Sequence, residues 1–282
     1  MLFTVVVLPM FAQKFYLKGQ IGYDIGIFKS QKIFLSETII EYQDSTLFKD
    51  FYQSYRNSYA TGVSFNAGLG ITITRYLSVE LTGFYTICRK QMFESTINIE
   101  DVNGYHFNAS EEYTMKGGCY GIKTDLTFTL PGKEFRPYSR LGAILSIMSM
   151  KESMRMHIMT DHPYYLPFDG MEYNLEYKTR LGVGMNLAIG LEYMFLKRLW
   201  IYVEAEGNIL NYMPAGASYT SYIVSRQDIT NQLTVHEKEI SYVDSYSDSD
   251  NQSQNEPTKR MPVKFSFSSI GFNLGLKYTL FD

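Results

Sequence analysis

The sequence predicts an all-β fold, namely a transmembrane antiparallel up-and-down β-barrel of eight strands. Apolar side chains recur at every second position, which is the period of a β-strand with two different faces, and helical spacing is hard to find. The alternation occupies eight segments: 15–27, 63–73, 77–87, 120–130, 139–149, 181–193, 199–209 and 272–280.

The connections between these segments alternate in length. The long connections are 29–60, 91–114, 151–177 and 211–262, and the short ones are 74–76, 131–137 and 195–198. A transmembrane barrel has short periplasmic turns, long extracellular loops and strands of about 10 residues. Its closed sheet also pairs every backbone polar group inside the lipid. The loop lengths therefore predict a barrel in a membrane, with its long loops on the outside.

A barrel of ten strands is the structural alternative. Residues 219–243 alternate well enough to form one more strand pair. However, Arg226, Asp228 and the charged residues 237–239 leave neither strand a clean lipid face. We therefore expect this segment to be a hairpin that projects outside the cell.

The composition argues against nucleic-acid binding and against a membrane-spanning helix. The 282 residues carry a formal net charge of -3, so there is no basic excess of the kind that nucleic-acid binding requires. The mean hydropathy is -0.17, and no stretch reaches the roughly 20 apolar residues of a membrane-spanning helix. The four long connections together carry more acidic than basic residues, which fits solvated loops or attraction of cations at the outer mouth.

The amino terminus is similar to an export signal. "MLFTVVVLPMFAQ" has a short apolar run and then Ala12 at a cleavage-like position, so we assign residues 1–12 to the remnant of a signal peptide. A buried first strand is the alternative, although Pro9 would interrupt it. Residues 13–282 then form a single β-barrel domain, with a disordered loop tip near 244–260, where Ser, Asp, Asn and Gln dominate.

The last strand carries the most specific part of the pattern. In "GFNLGLKYTLFD" the even-numbered residues are apolar up to position 280 and should face lipid, while the odd-numbered ones should face the interior. With the eight segments, this strand resembles the small outer-membrane β-barrel family of Gram-negative bacteria. That family comprises OmpA-like and OmpX-like barrels and the outer membrane protein β-barrel domain, or porin-family, group.

The resemblance implies location in the cell outer membrane, with outer-membrane lipid and lipopolysaccharide as partners. It also implies a C-terminal signal that the barrel-assembly machinery reads. The residues that match this signal are Phe272, Leu274, Leu276, Tyr278 and Phe281. Asp282 follows the terminal aromatic residue, unlike in the family.

Parity along the strands predicts which charged residues face the interior. They are Lys18, Asp24, Glu80, Lys123, Asp125, Arg140, Arg180, Glu192, Glu204, Glu206 and Lys277. The interior of an eight-stranded barrel is just wide enough for side chains to fill it. Because six acids face five bases, we expect an ion-pair network and a largely closed lumen.

The register of one hairpin follows from a turn signal. Asn103-Gly104 favours a two-residue type I′ turn, which would place Leu77 opposite Leu130 and Cys88 opposite Cys119. A disulfide between these cysteines is possible in an exported protein. It is left open, because the side chains on such a rung lie far apart and "KGGC" could carry a bulge.

No catalytic, cofactor or metal constellation stands out, so we expect no enzyme and no cofactor. The histidines are His106, His157, His162 and His236, and none has zinc-ligand spacing. Five methionines around His157, in residues 148–159, could attract a soft metal, but more often such a run is flexible apolar packing.

Three functions are therefore compatible with the sequence. The expected function is a structural or surface-binding barrel whose loops contact an unknown extracellular ligand. The alternative is a narrow porin-like channel for small solutes. A lipid-modifying outer-membrane enzyme is the third.

Overall fold

The computed structural model describes residues 14–27, 30–36, 51–57, 59–100, 106–160, 170–247 and 253–280. Its strands, in chain order, are β1 (Lys14–Gly26), β2 (Ser30–Ser36), β3 (Phe51–Asn57), β4 (Gly62–Thr72), β5 (Leu77–Cys88), β6 (Gln91–Glu100), β7 (His106–Thr129), β8 (Phe135–Thr160), β9 (Met171–Lys178), β10 (Leu181–Leu196), β11 (Leu199–Tyr212), β12 (Gly216–Val224), β13 (Gln227–Asp228), β14 (Glu239–Tyr242), β15 (Thr258–Arg260), β16 (Phe265–Ser266) and β17 (Ser269–Thr279). One short helix, α1 (Val235–Lys238), precedes β14. The predicted export signal, the Asn103-Gly104 turn, His162 and Phe281 lie outside the described residues.

Eight strands close into an antiparallel barrel. They pair in the circular order β1, β4, β5, β7, β8, β10, β11, β17 and back to β1. The closing pair runs from Tyr16 opposite Thr279 to Gly26 opposite Ser269. Each of the eight predicted segments lies almost wholly in one of these strands, so the eight-stranded prediction is confirmed.

The ten-stranded alternative is wrong. The strand β12 pairs with β9 and β14, not with a barrel neighbour. These three strands, together with β6, β15 and the outer halves of β7 and β8, form a sheet that continues above the barrel, which we call the outer sheet. β7 and β8 have 24 and 26 residues, more than twice the length that a membrane requires.

Short turns join the strands at the opposite end of the barrel. In the turn between β4 and β5, the hydroxyl of Thr74 accepts hydrogen bonds from the backbone N–H groups of Tyr76, at 3.2 Å, and Leu77, at 3.0 Å. A hydroxyl that binds nearby backbone donors in this way stabilises a tight turn. The predicted short turns at one end and long connections at the other are therefore both present.

The barrel's outer surface is a continuous belt of exposed apolar side chains. In β17 the even-numbered Phe272, Leu274, Leu276 and Tyr278 are exposed, and Asn273 between them is buried. The other strands follow the same alternation, because a side chain that faces lipid carries no penalty for being apolar. We call this surface the lipid-facing belt.

Aromatic residues are concentrated at both margins of the lipid-facing belt. The exposed aromatic side chains at the periplasmic margin are Phe15, Tyr76, Phe128, Phe135, Tyr193, Phe195 and Tyr278. Those toward the outer margin are Tyr23, Phe65, Tyr85, Tyr120 and Phe272. Such girdles mark the two water interfaces of a transmembrane barrel.

No helix of the described residues combines the length and the apolar character that crossing a membrane would need.

The predicted hairpin register is wrong. In β5 and β7, Leu77 lies opposite Phe128 and Thr86 lies opposite Cys119, so Cys88 and Cys119 do not share a rung. Between Ile87 and Gln91 the first strand has one residue more than its partner, because Ile87 pairs with Gly118 and Gln91 with Met115. This extra residue acts as a β-bulge and accounts for one of the two residues by which the predicted register is off. The other is already present where Glu100 pairs with His106, next to residues 101–105, which lie outside the described part of the chain.

Both cysteines nevertheless face inward, as their parity predicts. Cys119 is buried, Cys88 is half-buried against the same apolar cluster, and both are free thiols. The shared rung was the reason to expect a disulfide between them, and that reason is lost.

The end of the final long connection is ordered. Residues 258–260 form β15, which pairs in parallel with β14, and the hydroxyl of Thr258 donates to the carbonyl oxygen of His236. These residues stand at the end of the predicted disordered tip near 244–260, which stays a prediction for the rest of the segment, and 248–252 lie outside the described residues.

A charge placed on the lipid-facing belt should destabilise the barrel. Leu187, in the middle of β10, is 57% exposed on this surface. We expect Leu187→Arg to lower the free energy of unfolding by about 2 to 4 kcal/mol, because an arginine at mid-depth must leave water for hydrocarbon. The measurement is urea unfolding in lipid vesicles.

The matched control is Thr220→Arg, since Thr220 is exposed on the outer sheet. It should change the free energy of unfolding by no more than about 0.5 kcal/mol. Equal effects of the two substitutions would show that Leu187 does not face lipid.

Candidate functional site: the barrel interior and the outer sheet

The structure buries ten of the eleven charged residues that parity assigns to the interior. The ten are Lys18, Asp24, Glu80, Lys123, Asp125, Arg140, Glu192, Glu204, Glu206 and Lys277. Arg180 is the exception, because it lies in the exposed link between β9 and β10, beyond the end of the regular alternation. The prediction for Arg180 is therefore wrong.

Arg140 is the centre of the interior network. Its guanidinium lies 2.7 Å from Glu204 and 3.2 Å from Asp125, and its side chain is 1% exposed. Glu206 at 3.3 Å and Glu80 at 3.9 Å complete a shell of four carboxylates. These acids come from β5, β7 and β11, so a single side chain on β8 joins strands across the width of the barrel.

Two lysines pair with carboxylates of this shell, and a third forms a separate buried ion pair. Lys18 lies 3.3 Å from Glu80 and 3.7 Å from Glu204. Lys123 lies 2.7 Å from Glu206. Nearer the periplasmic end, Lys277 lies 2.7 Å from Glu192. Buried charges are stable only when they are paired and hydrogen-bonded, and these contacts meet that condition.

Four neutral side chains that were not among the predicted interior residues complete the network. Tyr16 donates to Glu80 and Tyr138 donates to Glu204, both at 2.8 Å. Asn186 donates to Asp125 at 2.7 Å, and Asn273 donates to both Glu204 and Glu206. The alternation of faces along each strand is the sequence signal that could have identified them as interior residues.

Each interior tyrosine ring lies over a glycine on the neighbouring strand. The cross-strand pairs are Tyr16 with Gly70, Tyr138 with Gly190 and Tyr202 with Gly275. A Cβ atom at any of these glycines would lie within 2.1 to 2.4 Å of the ring. The glycines are therefore required for the rings to lie flat inside the barrel.

A small cavity lies inside the barrel above the network. A cavity of about 30 Å³ lies between the network and the outer mouth, bordered by Asp24, Cys119, Lys123 and Phe267. This volume holds only one or two water molecules. The hydroxyl of Ser269 lies 3.5 Å from Asp24 at its edge.

Aromatic rings cover the outer mouth. We call this cluster the aromatic plug, and its members are Tyr59, Tyr177, Tyr212, Phe265 and Phe267. Phe265 contacts Tyr59 at 5.4 Å and Tyr177 at 5.2 Å between ring centroids, both edge to face. Phe265 and Phe267 are almost completely buried, so the outer end of the barrel is closed by apolar packing.

The inner face of the outer sheet joins this plug. Glu152 is buried and accepts hydrogen bonds from Tyr177 at 2.7 Å and Tyr173 at 3.1 Å. Burial raises the pKa of the Tyr173 hydroxyl, which therefore stays protonated and remains a donor. Tyr219 and Tyr222 pack against Tyr173, so the sheet's inner face is predominantly aromatic.

The methionine run does not form a metal site around His157. Met148, Met150 and Met154 are buried on the inner face of β8, whereas His157 and Met159 are exposed on the opposite face. Strand alternation separates the two sets, which is why the soft-metal alternative fails. The described residues also contain no group of three or more His, Cys, Asp or Glu side chains placed to hold a metal ion.

The closed antiparallel sheet, the lipid-facing belt and the two aromatic girdles together define the class of protein. The chain is a small eight-stranded transmembrane β-barrel with the architecture of OmpA-like and OmpX-like barrels. The outer membrane of a Gram-negative bacterium is the location that the sequence resemblance implies for a barrel of this architecture.

Comparison with known proteins adds little to this assignment. No family model matches the chain, and no curated protein matches it. Among solved structures, the chain is similar to Ail, the attachment invasion locus protein of Yersinia pestis, in complex with the heparin analogue sucrose octasulfate. The alignment covers 94% of this chain and 99% of Ail, with a TM-score of 0.31 and 12% identity. At these values nothing is transferred from Ail to this chain.

Removing Arg140 should destabilise the barrel strongly. Arg140→Met leaves four buried carboxylates without their shared cation, so we expect the free energy of unfolding to fall by about 3 to 5 kcal/mol. The measurement is denaturant unfolding of the barrel in lipid vesicles.

Arg155→Met is the matched control, because Arg155 forms an exposed ion pair with Glu172 at 3.3 Å on the outer sheet. Its removal should cost no more than about 1 kcal/mol. If the two substitutions had similar small effects, Arg140 would not be the centre of the network.

Proposed function

We propose that this protein is a non-enzymatic outer-membrane barrel of structural or surface-binding type. Its lumen is closed, and its outer sheet contacts a ligand outside the cell. The observation that carries the proposal is the filled interior. The Arg140 network and the aromatic plug lie one above the other along the barrel axis.

A narrow solute channel is the competing function. Conduction requires a continuous water-filled path, yet the cavity between the interior network and the aromatic plug has a volume of about 30 Å³. A solute would have to displace Arg140 from four carboxylates and then separate the rings around Phe265. Both barriers oppose transport, so the geometry favours a closed barrel.

The outer sheet offers a polar face for binding. Exposed ion pairs cover it: Lys151 with Glu176 at 3.0 Å, Arg155 with Glu172 at 3.3 Å and Lys178 with Glu239 at 2.8 Å. Surface pairs of this kind contribute little to stability. Their side chains can therefore exchange partners with an extracellular ligand at small cost.

A row of lysines gives the barrel a contact with outer-leaflet lipid. Lys116 and Lys151 lie directly opposite each other in β7 and β8. Lys90 immediately precedes the pair of Gln91 with Met115, so it lies beside Lys116. We call these three residues the lysine row. Like charges directly opposite one another repel. Lys151 is paired with Glu176 at 3.0 Å, and an anion bound to Lys116 and Lys90 would offset the repulsion that remains.

The position of the lysine row matches the lipid headgroups. Tyr120 and Ile87, at the outer margin of the lipid-facing belt, are only three or four residues away along their strands. Glu94 and Glu112 lie four residues farther out, about 13 Å at the rise of a strand. Apart from Glu176, which pairs with Lys151, the row is separated from the acidic residues of the sheet, and in this proposal it lies level with the phosphate groups of lipopolysaccharide.

The last strand supports recognition by the barrel-assembly machinery. Phe272, Leu274, Leu276 and Tyr278 share one exposed face of β17. This is the arrangement that the family's C-terminal signal requires. Phe281, the final aromatic residue of that signal, lies outside the described residues.

Planar-bilayer recording tests the closed lumen. The refolded protein should give no steady single-channel steps, because no continuous path crosses the network and the plug. A porin reconstituted in the same bilayer is the positive control. Steady steps from this protein at comparable insertion would establish the channel instead.

Substitution of the lysine row tests the lipid contact. We expect Lys90→Gln, Lys116→Gln and Lys151→Gln together to weaken binding of lipopolysaccharide at least tenfold, since each cation near a lipid surface contributes about 1 kcal/mol. Binding is measured as the shift of the unfolding temperature in neutral detergent with added lipopolysaccharide.

The control removes three other cations of the outer sheet region, as Arg155→Gln, Arg226→Gln and Lys259→Gln. This variant should keep the full response to lipopolysaccharide. Loss of binding in the control, or its retention in the lysine-row variant, would contradict the assignment.

A further inference from the structure

The periplasmic end of the barrel contains a cavity that the closed-lumen function does not use. Its volume is about 460 Å³, within the range of ligand sites. It is bordered by the beginning of β1, the ends of β4 and β7, and the turns that follow β4 and β7. We call it the periplasmic vestibule.

The charged residues that line the vestibule are all basic, and one carboxylate, that of Glu192, lies behind them, opposite Arg136 in the pairing of β8 with β10. Lys14, Arg75, Arg136 and Lys277 line it, and no aspartate or glutamate is among its lining residues. Lys277 is paired with Glu192 at 2.7 Å. The other three make no ion pair with any part of the chain that the structure describes. Cations that converge on one concavity raise the local concentration of anions.

The vestibule is a dead end. Tyr16 and Trp200 lie at its inner end and are buried, and Tyr16 donates to Glu80 of the interior network. A ligand that enters from the periplasm therefore meets the cations and the network behind them but has no route through the barrel. This geometry suits binding and does not suit transport.

One cation is already held in position. The guanidinium of Arg136 lies 4.0 Å from the centroid of the Trp200 ring, and its Nε donates to the carbonyl oxygen of Gly132 at 3.2 Å. A guanidinium fixed in this way has terminal N–H groups that remain to bind a carboxylate or phosphate in a fork. The hydroxyls of Thr72, Thr129 and Thr279 are further polar groups of the lining.

From this lining we infer that the periplasmic vestibule is a binding site for a small soluble anion that carries two or more carboxylate or phosphate groups. One anionic group binds Arg136 beside Trp200, and another is bound by Lys14 and Arg75 at the rim. The site is separate from the lysine row and the outer sheet, since it opens on the other side of the membrane.

Trp200 provides a direct readout, because it is the only tryptophan of the chain. The full chain, folded in a neutral detergent, is titrated with inorganic phosphate, succinate and citrate, with sodium chloride at matched ionic strength as the reference. We expect a saturable change in tryptophan fluorescence with half-saturation near 1 mM or below for citrate, and a weaker response to phosphate. Isothermal titration calorimetry measures the same binding independently.

The combined variant Lys14→Gln with Arg75→Gln removes two cations that do not contact Trp200. It should weaken citrate binding at least about tenfold, the effect of losing one or more charge-assisted hydrogen bonds. Arg75→Lys should retain most of the affinity. The matched control is Arg89→Gln with Arg226→Gln, which removes two exposed cations on the outer side of the barrel and should leave citrate binding unchanged.

Folding of each variant is verified by resistance of the barrel to detergent until it is boiled. A response to citrate no larger than that to chloride would overturn the inference. Equal citrate affinity in the wild type and the Lys14→Gln, Arg75→Gln variant would overturn it as well.

Discussion

Closure of the eight-stranded sheet is the constraint on which the rest of this structure depends. Inside lipid every backbone N–H and C=O must find a partner within the chain, and the pairing of β1 with β17 satisfies the two edges that would otherwise be exposed. Eight strands leave an interior only as wide as side chains can fill. Charged residues at inward positions must then pair with one another, and Arg140 makes this possible by contacting carboxylates from three strands.

The two ends of the barrel have different chemistry. At the outer end, β7 and β8 continue far beyond the membrane and carry β6, β9, β12, β14 and β15 with them, and the aromatic plug covers the mouth. At the periplasmic end the turns are short, and the vestibule remains open and cationic. The interior network separates the two. The ligand contacts proposed for the two ends are therefore separate, with the interior network between them.

The period of the sequence was enough to predict the barrel, because a residue's face depends only on its parity within one strand. The same reasoning identified ten interior charges and the lipid-facing side of β17. It failed for Arg180, which follows the last regular residue of β9, where parity no longer fixes the direction of a side chain.

Features that depend on register could not be predicted. One extra residue between Ile87 and Gln91 shifts β5 relative to β7, and the apolar pattern contains no sign of it. The cross-strand contacts of tyrosine rings with glycines, such as Tyr16 with Gly70, can be predicted only when the pairing register of the two strands is known. The outer sheet depends on pairings between segments far apart in the chain, for example β9 with β12, which no local pattern specifies.

The most direct test of the closed lumen uses Cys119, which is 4% exposed between the network and the aromatic plug. In a Cys88→Ser variant, Cys119 is the single thiol of the chain. The folded barrel is treated with a small, charged, water-soluble thiol reagent, and labelling is measured by mass spectrometry. The closed structure predicts no labelling until the barrel is unfolded, after which the thiol should react completely. Rapid labelling of the folded barrel would show that water and solutes reach the interior, and would contradict the account.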